Sequence, residues 1–351
     1  MGFDFAHPPV SQISSDLDGV AILLWGANGT GKTPLACGMF KPYYAAFEGG
    51  LTGIQGIPYA PMKNWKDFLQ FVKWCTSPAT TEEAHKIAQT IILDTVDVMA
   101  DYCIDYTCSQ LGISSLGAKK LGADGKQDFS VNGYTEYSRE FKRATRSLRN
   151  AGFTLVYIAH DGGTREDTDP KTHARYQKMY PSGDKRAIEP ICNDVDIIGY
   201  MQASPLDDKG YPQFSNIYFA PNNQYHTRSR YPEIVPYIEH VTPQSLADAI
   251  IEAKRKELAK QGAKGVTFEE QQAPFTTDEP KMPFNELVDK IGQYAAQLNS
   301  SGRVDEYRDI VKDRWGAEKY VSDATEAQRP VLEMILFDLE DLLKNKPVTA
   351  A

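Results

Sequence analysis

The sequence predicts an α/β fold with a mainly parallel central sheet, followed by a small all-α C-terminal domain. Apolar segments of strand length recur, and each runs into a polar residue or glycine. Segments with helical three-and-four spacing lie between them. The first apolar segment opens directly into a glycine-rich turn that precedes a helix. Strands buried on both faces read as near-continuous apolar runs, the pattern of a parallel sheet covered by helices.

Val20 to Trp25 (VAILLW), Tyr43 to Phe47 (YYAAF), Thr90 to Leu93 (TIIL) and Thr154 to Ala159 (TLVYIA) are the predicted strands. They run into Gly26, Glu48, Asp94 and His160, which gather on the carboxyl edge, where open α/β sheets bind ligands. Trp65 to Trp74 has helical spacing (Trp65, Phe68, Leu69, Val72), and so has Tyr134 to Arg149 (Tyr134, Tyr137, Phe141, Leu148), with a basic opposite face. Asp184 to Asn193 reads as a helix. Asp196 to Met201 and Ile217 to Ala220 read as strands joined by a polar turn with Asp207, Asp208 and Gly210. Pro243 to Lys260 reads as a helix stopped by Gly262. These elements make a core domain over 1–261. Residues 262–283, rich in Gly, Gln, Pro and Thr, read as a linker. Phe284 to Asn299, Val304 to Trp315 and Ala327 to Lys344 are amphipathic and form a helical domain over 284–351. Trp315, Tyr320 and Leu332 read as its core.

The chain has 351 residues, 41% apolar and 24% charged, as expected of a globular protein with a core domain and an appendage. A formal charge of −9 argues against coating nucleic acid by bulk charge and leaves a local basic groove open. No apolar run reaches bilayer length, and Met1 to Asp16 lacks a basic-then-apolar leader, so a cytoplasmic protein without a membrane partner is expected. Five scattered cysteines and six histidines show no zinc-ligand spacing, which predicts reduced, buried thiols.

Gly26-Ala27-Asn28-Gly29-Thr30-Gly31-Lys32-Thr33 matches GxxxxGK[ST] with a strand before it and a helix after it. Such a loop turns backbone N–H groups inward around phosphates. Lys32 then serves the β- and γ-phosphates, and the Thr33 hydroxyl serves Mg²⁺. ATP and Mg²⁺ are the expected ligands. Pro34 fits a first helical turn, where its missing N–H has no partner to lose. Asp94, at a strand end, suits the water shell of the cation; it equally suits a helix N-cap. Glu48 suits the base that activates water, against an ordinary turn glutamate. His160 suits a γ-phosphate sensor that signals to the following loop, against a structural histidine.

Together with the phosphate loop, FEGGL at 47–51, ILDTVD at 92–97 and IAHD at 158–161 resemble the RecA-type ATPase core, over roughly residues 18–240. More narrowly they resemble phage-encoded RecA-like ATPases, the AAA-domain phage nucleotide-binding proteins, which include ATP-dependent single-strand annealing recombinases of the Sak group. The resemblance implies a RecA-like P-loop NTPase core, a catalytic Glu48 and a Walker B pair Asp94-Thr95. His160 stands where glutamine is frequent in that family. Arg228 and Arg230 take the place of a basic pair that reaches a neighbour's site, which implies a homo-oligomer with an arginine acting in trans; a solvated turn is the competing reading. The implied activity is a DNA-stimulated ATPase that binds single-stranded DNA in phage-type recombination or annealing, in the host cytoplasm.

Two stretches suit that DNA. Gly117 to Arg149 carries Lys119, Lys120 and Lys126 and then a basic helix, with eight Lys and Arg to four Asp and Glu. The loop Asp161 to Lys185 carries Arg165, Lys171, Arg175 and Lys178 interleaved with Tyr176 and Tyr180, a pattern that suits stacked single strands. It also holds Glu166, Asp167 and Asp169, and a solvated face competes with both readings. The C-terminal helices carry 13 acidic and nine basic residues from Phe284 onward. They read as an interaction module, with a single-strand-binding protein as the expected partner, or as an inert appendage. Two rival functions stand beside the ATPase: a non-catalytic ATP-binding switch and a P-loop small-molecule kinase. The kinase lacks an arginine-dense lid segment.

Overall fold

The computed structural model describes residues 12–120, 132–169, 171–183, 185–210, 212–272, 282–316 and 319–345. The chain divides into two compact units, Met1–Phe275 and Thr276–Ala351.

The first unit is built on ten strands: β1 (Ala21–Gly26), β2 (Pro42–Ala46), β3 (Tyr59–Pro61), β4 (Thr90–Asp94), β5 (Thr154–Thr168), β6 (Arg175–Pro181), β7 (Ile197–Ala203), β8 (Ser215–Tyr218), β9 (Arg228–Ser229) and β10 (Tyr237–Ile238). The path across the sheet is β10-β8-β7-β1-β5-β4-β2-β3. The stretch from β7 to β3 is parallel throughout, and β8, β9 and β10 extend it antiparallel. Its helices are α1 (Lys32–Cys37), α2 (Trp65–Thr76), α3 (Thr81–Ile87), α4 (Val96–Leu111), α5 (Gly133–Asn150), α6 (Lys185–Asp194), α7 (Pro243–Gln261) and α8 (Phe268–Gln272).

Every residue of β1 is buried, because alternate side chains enter two different apolar layers. Leu23 and Trp25 join Leu93 and Tyr157 against Phe68 of α2, Met99 of α4, Phe141 of α5 and Ile191 of α6. Ile22 and Leu24 join Ile92 and Val156 against Leu35 of α1 and Leu246 and Ile250 of α7. Burying one such side chain contributes about 1.5–3 kcal/mol. This double cover fixes the strand ends and with them the site.

Two sequence expectations for this unit change. The loop expected over Asp161 to Lys185 is largely a hairpin: β5 continues past His160 and pairs with β6, from Asp161↔Pro181 to Thr168↔Arg175. The linker expected to begin at 262 is, over 265–272, part of the first unit. Ser15 N donates to Val266 O at 2.9 Å, and Phe268 N donates to Asp16 Oδ2 at 3.2 Å. The Phe268 ring lies over Gly19, where φ is +69° and a Cβ would stand 2.2 Å from the ring. Residues 273–281 lie outside the described residues. Finally, α4 was not legible as a helix. Its buried positions, Val96, Met99, Ala100, Cys103, Thr107 and Cys108, have helical spacing, but small and weakly apolar residues carry it.

The second unit packs α9 (Phe284–Ser300), α10 (Val304–Trp315) and α11 (Arg329–Asn345) around Leu287, Ile291, Leu298, Val311, Leu332, Ile335 and Leu339. Leu332 is fully buried and Trp315 partly so, whereas Tyr320 is 67% exposed and is not core. No helix among the described residues is long and apolar enough to cross a membrane.

Candidate functional site

Strand register assembles the site. Gly26 of β1 lies beside His160 of β5, and Asp94 of β4 pairs with Ile158 of β5 on one side and Ala46 of β2 on the other. Glu48 follows β2 by two residues. Phosphate loop, acid, glutamate and histidine thus share one edge although 134 positions separate Gly26 from His160.

Gly29 and Gly31 adopt left-handed φ of +78° and +73°, which lets the loop curl, and a Cβ on Gly29 would meet nothing within 4 Å. Gly26 needs its missing side chain: a Cβ there would lie 2.3 Å from Met201 O on β7. Ala27, Asn28 and Gly29 are exposed along the loop, and Thr30 anchors it by donating to Ala27 O at 2.8 Å. Lys32 Nζ is buried and donates to Gly26 O at 2.9 Å and Ala27 O at 2.8 Å. Burial holds its pKa below the usual lysine range, against the pull of Asp94 and Asp161. Buried positive charge beside an open loop is strongly favoured by an anion.

Asp94 is 3% exposed. Thr33 Oγ1 and Tyr44 Oη both donate to its Oδ2, each at 2.8 Å. Burial raises the Asp94 carboxyl above its usual range, and these two hydrogen bonds work against that rise. Thr95 Oγ1 donates to Glu48 Oε1 at 2.5 Å, and His160 Nε2 stands 3.4 Å from the same oxygen. All of these but Tyr44 line a cleft of about 490 Å³, with Lys32, Gly50 and Ile54. The residues present fit a Mg²⁺-nucleotide. The cradle is open above Gly29, Lys32 has no anionic partner in contact among the described residues, and Thr33 with Asp94 offers hard oxygen donors.

Other expected residues lie elsewhere. Arg228 Nη1 and Nη2 donate to the carbonyls of Cys192 and Val195 at 3.4 and 3.2 Å. Arg230 meets Asp196 Oδ1 at 3.4 Å and Asn193 O at 3.2 Å. Because β9 pairs with Ile197 and Ile198, both arginines sit at the amino end of β7, away from this chain's own phosphate loop. Lys119 and Lys120 follow α4, and Lys126 lies outside the described residues. The basic face of α5 is largely paired: Arg139 with Glu136, Arg143 with Glu140, and Arg146 and Arg149 with Asp194 and Asp196. On the hairpin, Arg165 lies over the Tyr180 ring at 5.2 Å and donates to Gly183 O, and Arg175 pairs with Glu166 at 3.3 Å. Lys171 is exposed near the tip and Lys178 faces Arg165 across the strands.

Sequence reasoning missed Tyr44 and the contact of Thr95 with Glu48. A tyrosine in an otherwise apolar buried strand was the available signal, since a buried hydroxyl needs a partner.

A glycine-rich phosphate loop between strand and helix, backed by a buried aspartate and a strand-end glutamate, defines a P-loop nucleotide-binding protein. The profile of the AAA domain matches residues 18–231, and the chain belongs to that family. It is 33% identical over 343 residues to the SPbeta prophage-derived uncharacterized protein YorG of Bacillus subtilis (strain 168), covering 98% of this chain and 99% of that one. Among solved structures, the KaiC-like protein PH0186 of Pyrococcus horikoshii OT3 is 13% identical with a TM-score of 0.28, over 60% of this chain and 88% of that chain.

Proposed function

We propose that the protein is a Mg²⁺-dependent ATPase whose turnover is coupled to single-stranded DNA, acting in phage-type recombination or strand annealing of the Sak kind. The observation that carries the reading is the convergence of Lys32, Thr33, Asp94, Glu48 and His160 on one cleft. Lys32 and the loop amides hold the phosphates, and Thr33 with Asp94 holds the cation, which neutralises charge as the γ-phosphoryl group leaves. Glu48, oriented by Thr95, accepts a proton from the attacking water.

The DNA part of the proposal draws on the hairpin. His160 lies at its root, and Ser182 N donates to His160 O at 2.8 Å, so the residue beside Glu48 is tied to both hairpin strands. Arg165, Lys171, Arg175 and Lys178 give that hairpin its cations, with Tyr176 beside them. The likeness to a prophage-derived protein agrees with a phage role. A neighbouring copy would contribute Arg230, whose side chain is 49% exposed, rather than Arg228. The acidic C-terminal helices are proposed to dock a single-strand-binding protein.

Steady-state ATP hydrolysis with and without single-stranded DNA, at low and moderate salt, tests the reading. Stimulation that weakens with salt is expected, and Glu48→Gln should lower turnover by about 10²-fold or more while nucleotide still binds. Hydrolysis indifferent to DNA removes the recombination role. Turnover that is negligible and unchanged in Glu48→Gln favours the ATP-binding switch.

A further inference from the structure

Tyr44 lies on β2, two residues before the strand ends. Its ring is buried in the apolar layer that also holds Leu35 of α1 and Ile92 of β4. Its hydroxyl leaves that layer to end on Asp94 Oδ2, the same oxygen that Thr33 reaches. Among the described residues no hydrogen bond ends on Asp94 Oδ1. One carboxylate oxygen is therefore held by two hydroxyls from different elements, and the other keeps its lone pairs. Two donors from α1 and β2 fix the carboxylate plane, which one donor leaves free to turn.

Gly50 completes the arrangement. A Cβ there would stand 2.2 Å from the Tyr44 hydroxyl and 3.2 Å from Asp94 Oδ2. The turn after Glu48 can pass over this pair of oxygens only because position 50 has no side chain.

We propose that Tyr44 is a positioning residue of the Mg²⁺ site: together with Thr33 it fixes Asp94 so that Oδ1 faces the water shell of the cation. The inference rests on the Mg²⁺-nucleotide part of the functional reading and is independent of hydrolysis and of DNA. Losing a group that orients a metal-site ligand typically costs about 10–100-fold in metal affinity.

Binding of a fluorescent ATP analogue to the full chain, titrated with Mg²⁺ and repeated with EDTA, tests it. Tyr44→Phe keeps the buried ring and removes one oxygen. The Mg²⁺ midpoint should rise about tenfold, and the metal-free nucleotide affinity should stay within about twofold of wild type. In an Asp94→Ala background the same change should add nothing. Gly50→Ala, which crowds the hydroxyl, should raise the midpoint in the native chain and raise it less once Tyr44→Phe has removed the oxygen. A Tyr44→Phe midpoint equal to wild type overturns the proposal, as does an equal shift with and without Asp94. Wild-type binding that ignores Mg²⁺ overturns the metal site and this proposal together. Absence of hydrolysis does not affect the titration.

Discussion

At the amino ends of the strands, Arg149 gives Nη2 to Asp196 at 2.7 Å, Nη1 to Asp194 O at 2.8 Å and Nε to Gly19 O at 2.9 Å. At the carboxyl ends, Lys32 gives Nζ to two carbonyls of its own loop and, at 3.4 Å, to the Thr30 hydroxyl. Both edges bury a cation beside a cavity. At the first edge carboxylates of the same chain answer it: Asp194 takes Arg146 at 2.6 Å, and Asp196 takes Arg149, the amide of Ala21 and Arg230. At the second edge the acceptors in contact among the described residues are all neutral. A buried charge is costly until a counter-charge meets it. The arginines of the amino edge are therefore paired within the chain, while Lys254, buried at the same cavity of about 460 Å³, donates among the described residues only to Ser14 Oγ and Asp16 O. The carboxyl edge is the one whose charge is completed by a phosphate. Cavity volume does not separate Arg149 from Lys32; the charge of their contacting partners does, and the phosphate loop in turn sets Lys32 apart from Lys254.

Breaking each edge in turn should give opposite outcomes. The largest effect is expected from Lys32→Ala, which should weaken nucleotide binding or turnover by about 10²–10³-fold. Its melting temperature should fall less than that of an amino-edge variant, because no carboxylate in contact loses its counter-ion. Equilibrium binding together with thermal melts checks both halves. Arg149→Ala is expected to do the reverse. Its side chain is 17% exposed, and removing it takes from Asp196 its shortest cation contact while Arg230 and the Ala21 amide remain, so unfolding free energy should fall by about 1.5–3 kcal/mol in urea titrations. Nucleotide affinity should hold wherever the variant is folded. An Arg149→Ala protein of native stability and lost affinity would reverse the assignment of the two edges.

The smallest effect sharpens the contrast at the hairpin root. Here His226 stacks on Tyr180 at 4.7 Å, and burial, with Lys178 and Arg228 adding to it, pushes its imidazole down to about 4. The folded chain keeps this ring neutral, while the unfolded chain protonates it near pH 6.5. Its contribution to stability is thus whole above pH 6.5 and declines as pH falls from there towards 4. His226→Gln should flatten the loss of stability between pH 6.5 and 4. Urea midpoints at those two values decide it; an unchanged slope would place the acid sensitivity in other groups.

Much of the site was legible because its signals are local. A buried apolar run that meets a glycine, glutamate, aspartate or histidine announces itself within a few residues, and the phosphate loop is one continuous run. The apolar runs also predicted a buried parallel sheet. Less was legible wherever a residue's role depends on a distant partner. Tyr44 meets Asp94 from 50 positions away and Thr95 meets Glu48 from 47, so strand register and not local pattern brings them together. The basic face of α5 looked available for phosphate because its counter-charges, Asp194 and Asp196, come from a later segment.

By itself, then, the sequence determined the phosphate loop, the order of buried apolar runs and the polar residues that follow them, since backbone propensity and burial pattern act over short range. Tertiary structure alone decided that the segment after His160 is a hairpin, that 265–272 belongs to the first unit, and which buried charges are already paired. Pairing is a property of two side chains in space, and only the folded chain brings both to the same place.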